Sequence, residues 1–187
     1  MNWLIITIIL FAIEKGYFLV ADKYNIVDKP NNRSSHTTPT IRGGGIIFPV
    51  SILCYFVYSN FQWPYFTAGL LLISITSFID DIKSLPNRAR ISVHFISIAL
   101  LLYETGIVEI LPYWAIILLA VIGVGVFNAY NFMDGINGIT GAYSLLLAGT
   151  LYIFNIYEHP FINSDVFPFI FGSLLVFLYF NFRHKAR

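Results

Sequence analysis

Two adjacent carboxylates, Asp80 and Asp81, stand where an apolar run gives way to the basic segment Ile82-Lys83-Ser84-Leu85-Pro86-Asn87-Arg88-Ala89-Arg90. At a helix C-terminus the dipole already presents negative charge, so a carboxylate pair there needs a compensating cation. Mg2+ is the natural choice, with Mn2+ as a substitute, because it is commonly held by one or two carboxylates, waters and substrate phosphates. Successive helical side chains diverge by about 100°. One Asp is therefore expected to meet the metal and the other to act as base or orienter, and the residues alone leave open which does which. A plainer reading also exists, in which the pair is solvated or paired with Lys83, Arg88 or Arg90.

Two further connectors carry polar side chains at suggestive spacing. The first runs from Asp28 through Arg33, His36 and Arg42 to Gly43-Gly44-Gly45, so cations and hydroxyls precede a glycine run at the start of a helix, where free amides favour anions. It reads as a phosphate cradle or, more plainly, as an ordinary basic inner loop with a glycine hinge. The other places Asn128, Asn131, Asp134 and Asn137 three residues apart, followed by Gly138, with no Lys or Arg among them. A helical continuation would gather these four on one drifting polar stripe suited to a sugar, ribose or base; a polar cap and turn is the simpler alternative.

The elements that must position these groups are membrane helices. The 187 residues are 57% hydrophobic and 11% charged, with mean hydropathy +0.73, a composition foreign to a soluble domain. A span needs roughly 20 apolar residues, and runs near that length recur at 3–21, 44–60, 64–79, 91–110, 113–128, 139–157 and 166–182. The expected fold is therefore all-α, a single polytopic membrane domain over 1–187 with about seven transmembrane helices. The first run lacks the basic leader and small-residue cleavage site of a signal peptide, so it is expected to persist as a helix.

Orientation follows from Lys and Arg, which stay in cytoplasmic loops. Counting alternate connectors, one side holds ten of the eleven basic residues, and the other holds Glu104, Glu109, Glu158 and Asp165 with Trp3, Trp63, Tyr65, Tyr113 and Trp114 at its boundary. The N-terminus is expected outside and the C-terminus in the cytoplasm, with all three polar connectors on the cytoplasmic face. The eleventh basic residue, Lys15, adjoins Glu14 inside the first span, where helix packing or snorkelling is the default and a functional role the alternative. Cys54 and His94 are expected to be packing residues, and His159 falls on the wrong side for the site.

Together the three connectors resemble the polyprenyl-phosphate N-acetylhexosamine-1-phosphate transferases, the membrane enzymes of glycosyltransferase family 4. The resemblance rests on Pro30-Asn31-Asn32-Arg33-Ser34-Ser35-His36 before the glycine run, Phe78-Ile79-Asp80-Asp81-Ile82-Lys83, and Asn128 through Gly138, in that order. The wording is nearest the branch that starts O-antigen and related surface polysaccharides. The resemblance implies Mg-dependent transfer of an N-acetylated amino-sugar 1-phosphate from a UDP-sugar to undecaprenyl phosphate at the cytoplasmic face of a bacterial inner membrane. Asp80 and Asp81 would supply metal contact and proton acceptance, Arg33, His36, Arg42 and Lys83 would line the phosphate or sugar path, and Asn128, Asn131, Asp134 and Asn137 would hold the nucleotide sugar. Single-step attack and a covalent aspartyl intermediate both suit these residues. The implied partners are the UDP-N-acetylhexosamine donor, the polyprenyl phosphate acceptor and membrane lipid, with a homodimer admissible and no nucleic acid.

Two departures shape the expectation. Many members of the family carry Asp where this sequence has Asn137, a position tied to base recognition, so donor preference is expected to differ. The family pattern normally continues past a stretch resembling Asn181 to Arg187 into a Phe-x-Gly-Asp-x-Gly-Ser segment, whose Asp helps hold the metal. Residues 1–187 alone are therefore expected to show little or no turnover, and the alternative reading is a catalytically incomplete module that binds nucleotide sugar or lipid carrier. A transporter is disfavoured because its polar groups would gather at mid-membrane.

Overall fold

The computed structural model describes residues 2–28, 40–41, 43–133 and 136–182. Eight α-helices dominate it: α1 (Trp3–Lys23), α2 (Ile47–Tyr58), α3 (Pro64–Ile82), α4 (Asn87–Glu104), α5 (Ile107–Ile110), α6 (Tyr113–Met133), α7 (Ile139–Tyr157) and α8 (Phe167–Asn181). The remainder of the regular structure is two 3-10 turns, Gly44–Ile46 and Ser164–Val166, and a two-residue ladder of β1 (Val27–Asp28) with β2 (Thr40–Ile41). The architecture is all-α, and a helix occupies each of the seven apolar runs. Five helical segments are long and apolar enough to cross a membrane: α1, α3, α6, α7 and Ser164–Asn181. α2 is shorter, and α4 opens with Asn87, Arg88 and Arg90.

Boundaries moved for identifiable reasons. Pro86 lies at the N-cap of α4 with extended backbone, so the helix starts before its apolar stretch. It ends at Glu104 because Gly106 takes φ +68°, a left-handed conformation natural to glycine. α6 runs on past Asn128, where the apolar run ended, and takes in Asn131.

The chain divides into two compact units, one built from residues 1–55 and 133–187 and the other from 56–132. In the first, α8 packs beside α1 in the same direction: Trp3 stacks on Phe171 at 5.6 Å and Phe11 on Phe180 at 5.3 Å. Gly172 allows the approach, since a Cβ there would lie 3.3 Å from the Thr7 hydroxyl. α2 runs against α8, fastened where the Ser51 hydroxyl donates to the Phe169 carbonyl at 2.7 Å. α7 also runs against α8; Gly141 faces Leu178, and the Gly138 amide donates to Asn181 Oδ1 at 2.6 Å. Leu10, Ile47, Phe169 and Val176 form the centre of the core.

The second unit is α3 to α6. Gly69 and Ser97 bring α3 and α4 together, the serine hydroxyl donating to the glycine carbonyl at 2.9 Å. Glu104, at the end of α4, accepts from the Tyr65 and Phe66 amides at 2.6 and 2.9 Å. It thus satisfies two of the donors that the start of α3 leaves open. α6 lies along α4 in the opposite direction, with Gly123 against Ile98 and Phe127 against His94. Within each unit the helix directions are those that alternate crossings require.

Candidate functional site

Asp80 and Asp81 both fall in the last turn of α3, which ends at Ile82. Their surroundings differ. Asp80 is a quarter exposed; Oδ1 accepts the Leu85 amide at 2.7 Å and Oδ2 lies 3.5 Å from the Arg90 guanidinium. Both its oxygens thereby help to fold the turn from α3 into α4. Of the three basic partners that the sequence allowed, the structure selects Arg90. Asp81 is exposed.

The helix directions bring this unit's other sequence-predicted site residues to the same end. On α4 and α6, His94 faces Phe127 and Ile98 faces Gly123. One turn further toward this end, the same register puts Arg90 level with Asn131. Asp80, Asp81, Lys83, Asn128 and Asn131 therefore share one end of a three-helix unit, while Trp63, Tyr65, Tyr103 and Glu104 mark the other. Asn128 is half-buried, its amide donating to the Val124 carbonyl at 3.1 Å, and Asn131 is exposed.

The proposed four-residue stripe is interrupted. α6 ends at Met133, and Asn137 sits in a turn before Gly138, whose φ of +84° starts α7. Among the described residues of the four, Asn128 and Asn131 share a helical face and Asn137 does not. Asn137 belongs to the first unit, at the end where Asn181 receives the Gly138 amide. Arg33, His36, Arg42 and Asp134 lie outside the described residues. The β1–β2 ladder pairs Val27 with Ile41 and Asp28 with Thr40, so the backbone on either side of 29–39 is tied together.

Among the described residues no three His, Cys, Asp or Glu side chains assemble into a metal-binding group. The chemistry at the end of α3 nevertheless suits Mg2+, which takes hard carboxylate oxygens and completes its shell with water and phosphate rather than with a full protein cage. Asp80 and Asp81 supply two such carboxylates side by side in the last turn of α3.

Other residues singled out by sequence fall as follows. Glu14 is 1% exposed, with Oε2 lacking a hydrogen-bond partner and Oε1 3.6 Å from where a Cβ on Gly44 would stand. His94 packs its ring edge-on to Phe127, its Nδ1 buried without a partner, and Cys54 is half-buried beside the first unit's core. Sequence reasoning missed Asn155. Its buried amide donates to the Ile162 carbonyl and the Ser164 hydroxyl and accepts the Phe161 and Ile162 amides, shaping the turn into α8. A single Asn inside the apolar run 139–157 was the available signal.

Comparison with known proteins gives a consistent picture. The family model described as glycosyl transferase family 4 matches residues 63–187. The chain is 24% identical over 184 residues to a probable undecaprenyl-phosphate N-acetylglucosaminyl 1-phosphate transferase of Bacillus subtilis (strain 168), covering 90% of this chain and 51% of that protein. It is 29% identical over 158 residues to the phospho-N-acetylmuramoyl-pentapeptide-transferase of Dictyoglomus turgidum, covering 74% and 50%. To the decaprenyl-phosphate N-acetylglucosaminephosphotransferase of Mycobacterium leprae it is 25% identical over 205 aligned positions, covering 90% and 50%. The chain spans about half the length of the curated relatives it matches. No solved structure matches.

Proposed function

The chain belongs to glycosyl transferase family 4, and from that premise we propose that it serves a multi-pass membrane enzyme that moves an N-acetylated amino-sugar 1-phosphate from a UDP-sugar to undecaprenyl phosphate. The observation that carries the proposal is the end of the second unit, where Asp80, Asp81, Lys83, Asn128 and Asn131 gather inside the stretch matched by the family. The relatives, named for transfer of an amino-sugar phosphate to a polyprenyl phosphate, support the reaction class. The working face is the cytoplasmic one of a bacterial inner membrane, because Lys83, Arg88 and Arg90 all lie at that end. The product would initiate a cell-envelope polysaccharide of the O-antigen kind.

A lipid phosphate oxygen attacks the β-phosphorus of the nucleotide sugar; a new P–O bond forms, the pyrophosphate bond breaks, and UMP leaves. Two anions must meet, so catalysis is mainly positioning and charge compensation. Bound Mg2+ would neutralise part of the pyrophosphate charge, with the Asp80 and Asp81 carboxylates as its protein contacts. Asp80 holds the α3–α4 turn through Leu85 and Arg90, so that Asp81 and Lys83 face the phosphates from fixed positions. Asn128 and Asn131 offer amide donors and acceptors to the sugar or ribose hydroxyls. Membranes carrying the chain extended through the family's Phe-x-Gly-Asp-x-Gly-Ser segment, given radiolabelled UDP-N-acetylglucosamine and undecaprenyl phosphate, should pass label into the lipid fraction only when Mg2+ is present. Persistent transfer by both the Asp80→Asn and Asp81→Asn variants would reject these roles.

A further inference from the structure

Lys15 is an exposed ammonium near the middle of α1, a helix long and apolar enough to cross a membrane. It lies eight residues from Lys23 and twelve from Trp3, about 12 and 18 Å from the two helix ends at the α-helical rise. Its Nζ sits 5.1 Å from the centre of the Phe11 ring, one turn toward the N-terminus. The side chain thus points away from the nearer end, as helical side chains do. Snorkelling to that surface would require it to reverse, and a cation left in hydrocarbon at this depth is costly.

Among the described residues no acidic group offers Lys15 a counter-charge at that depth. Asp22, Asp28, Asp80, Asp81, Glu104, Glu109, Glu158 and Asp165 lie in connectors or near helix ends. Glu14 is buried on another side of α1 against Gly44. A second copy brings the same set, so pairing two α1 helices would oppose two ammonium groups without an accessible carboxylate. The surface around Lys15 also admits close approach. Ala12 and Gly16 are exposed one turn apart, and a Cβ on Gly16 would meet nothing within 4 Å; small residues four apart let helix backbones come together in lipid.

We propose that this face of α1, centred on Lys15, docks a transmembrane helix of a separate polypeptide carrying an Asp or Glu at the same depth. The pair would neutralise both charges where neither is tolerated alone, and Ala12 and Gly16 would set the approach of the two backbones. The test reconstitutes the full chain, labelled with a fluorescent donor, in phosphatidylcholine vesicles with acceptor-labelled polyleucine helices that carry either Asp or Leu at the centre. Energy transfer should show the Asp peptide associating about tenfold more tightly than the Leu peptide. Lys15→Leu, which should insert at least as well as the native chain, is expected to erase that preference. Gly16→Leu should weaken association by blocking approach without touching the core, and Lys15→Glu should transfer the preference to a peptide with a central Lys. Equal association of the Asp and Leu peptides with the native chain would overturn the proposal, as would an undiminished preference in Lys15→Leu. Donor- and acceptor-labelled copies of the chain that pair through α1 more tightly than the Asp peptide binds would also overturn it, making the face a self-association surface.

Discussion

The two units hold their helices together by different means. The first buries aromatic side chains in quantity: Phe167, Phe169 and Phe180 of α8 are all under 10% exposed, and ring contacts join α8 to α1, α2 and α7. The second buries little along its length. It relies on glycines where backbones touch, one serine hydroxyl and a carboxylate cap, with Ser97, Ile98 and Val124 among its few buried residues. In hydrocarbon this second strategy is adequate, since apolar exposure to lipid costs nothing and close packing with satisfied polar groups supplies cohesion. Asp80, Asp81, Lys83, Asn128 and Asn131 sit at one end of the lightly packed unit, and Asn137 lies in the aromatic one. Packing density and chemistry are thus carried by different helices.

The largest expected effect belongs to the second unit's polar end. In the chain extended through the Phe-x-Gly-Asp-x-Gly-Ser segment, Asp81→Asn should lower lipid-linked product formation by about 10²–10³-fold, while fluorescence of a variant whose sole tryptophan is Trp63 reports unchanged unfolding of that unit. Next comes Gly138→Ala in the first unit. A methyl group there would run into the Phe182 ring on a backbone of φ +84°, which should cost about 3 kcal/mol, read from detergent unfolding with Trp3 as sole reporter. Asn155→Ala strands the amides of Phe161 and Ile162 and should cost about 2 kcal/mol on the same reporter. The smallest change is Glu104→Gln, about 1 kcal/mol, visible only through Trp63. If a first-unit variant shifted the Trp63 transition as strongly as the Trp3 one, the division of labour would fail.

Much of this arrangement was legible in the residues. Apolar runs located every long helix because lipid solvation demands such runs, and the segregation of Lys83, Arg88 and Arg90 from Glu104 marked the two ends of the second unit. What escaped depends on contacts between distant positions. Glu104 meets Tyr65 and Phe66 from almost forty residues away, and nothing local distinguishes it from an ordinary outer-loop acid. The choice of Arg90 over Lys83 or Arg88 as partner for Asp80 follows from the turn at Pro86, which a charge count does not encode. The three-residue spacing of Asn128, Asn131, Asp134 and Asn137 suggested one stripe, but regular spacing describes a face only while the helix lasts, and α6 stops at Met133. Asn155 was passed over because its partners are mostly backbone groups of the following turn.

The account rests on the end of α3 handling a metal-bound nucleotide sugar, and calorimetric titration of the purified chain with UDP-N-acetylglucosamine, with and without Mg2+, tests it most directly. Binding that requires Mg2+ in the native chain and disappears in Asp81→Asn, with the Trp63 transition intact, is the predicted result. Binding of equal strength in the native chain and the variant, or binding indifferent to Mg2+, would contradict it.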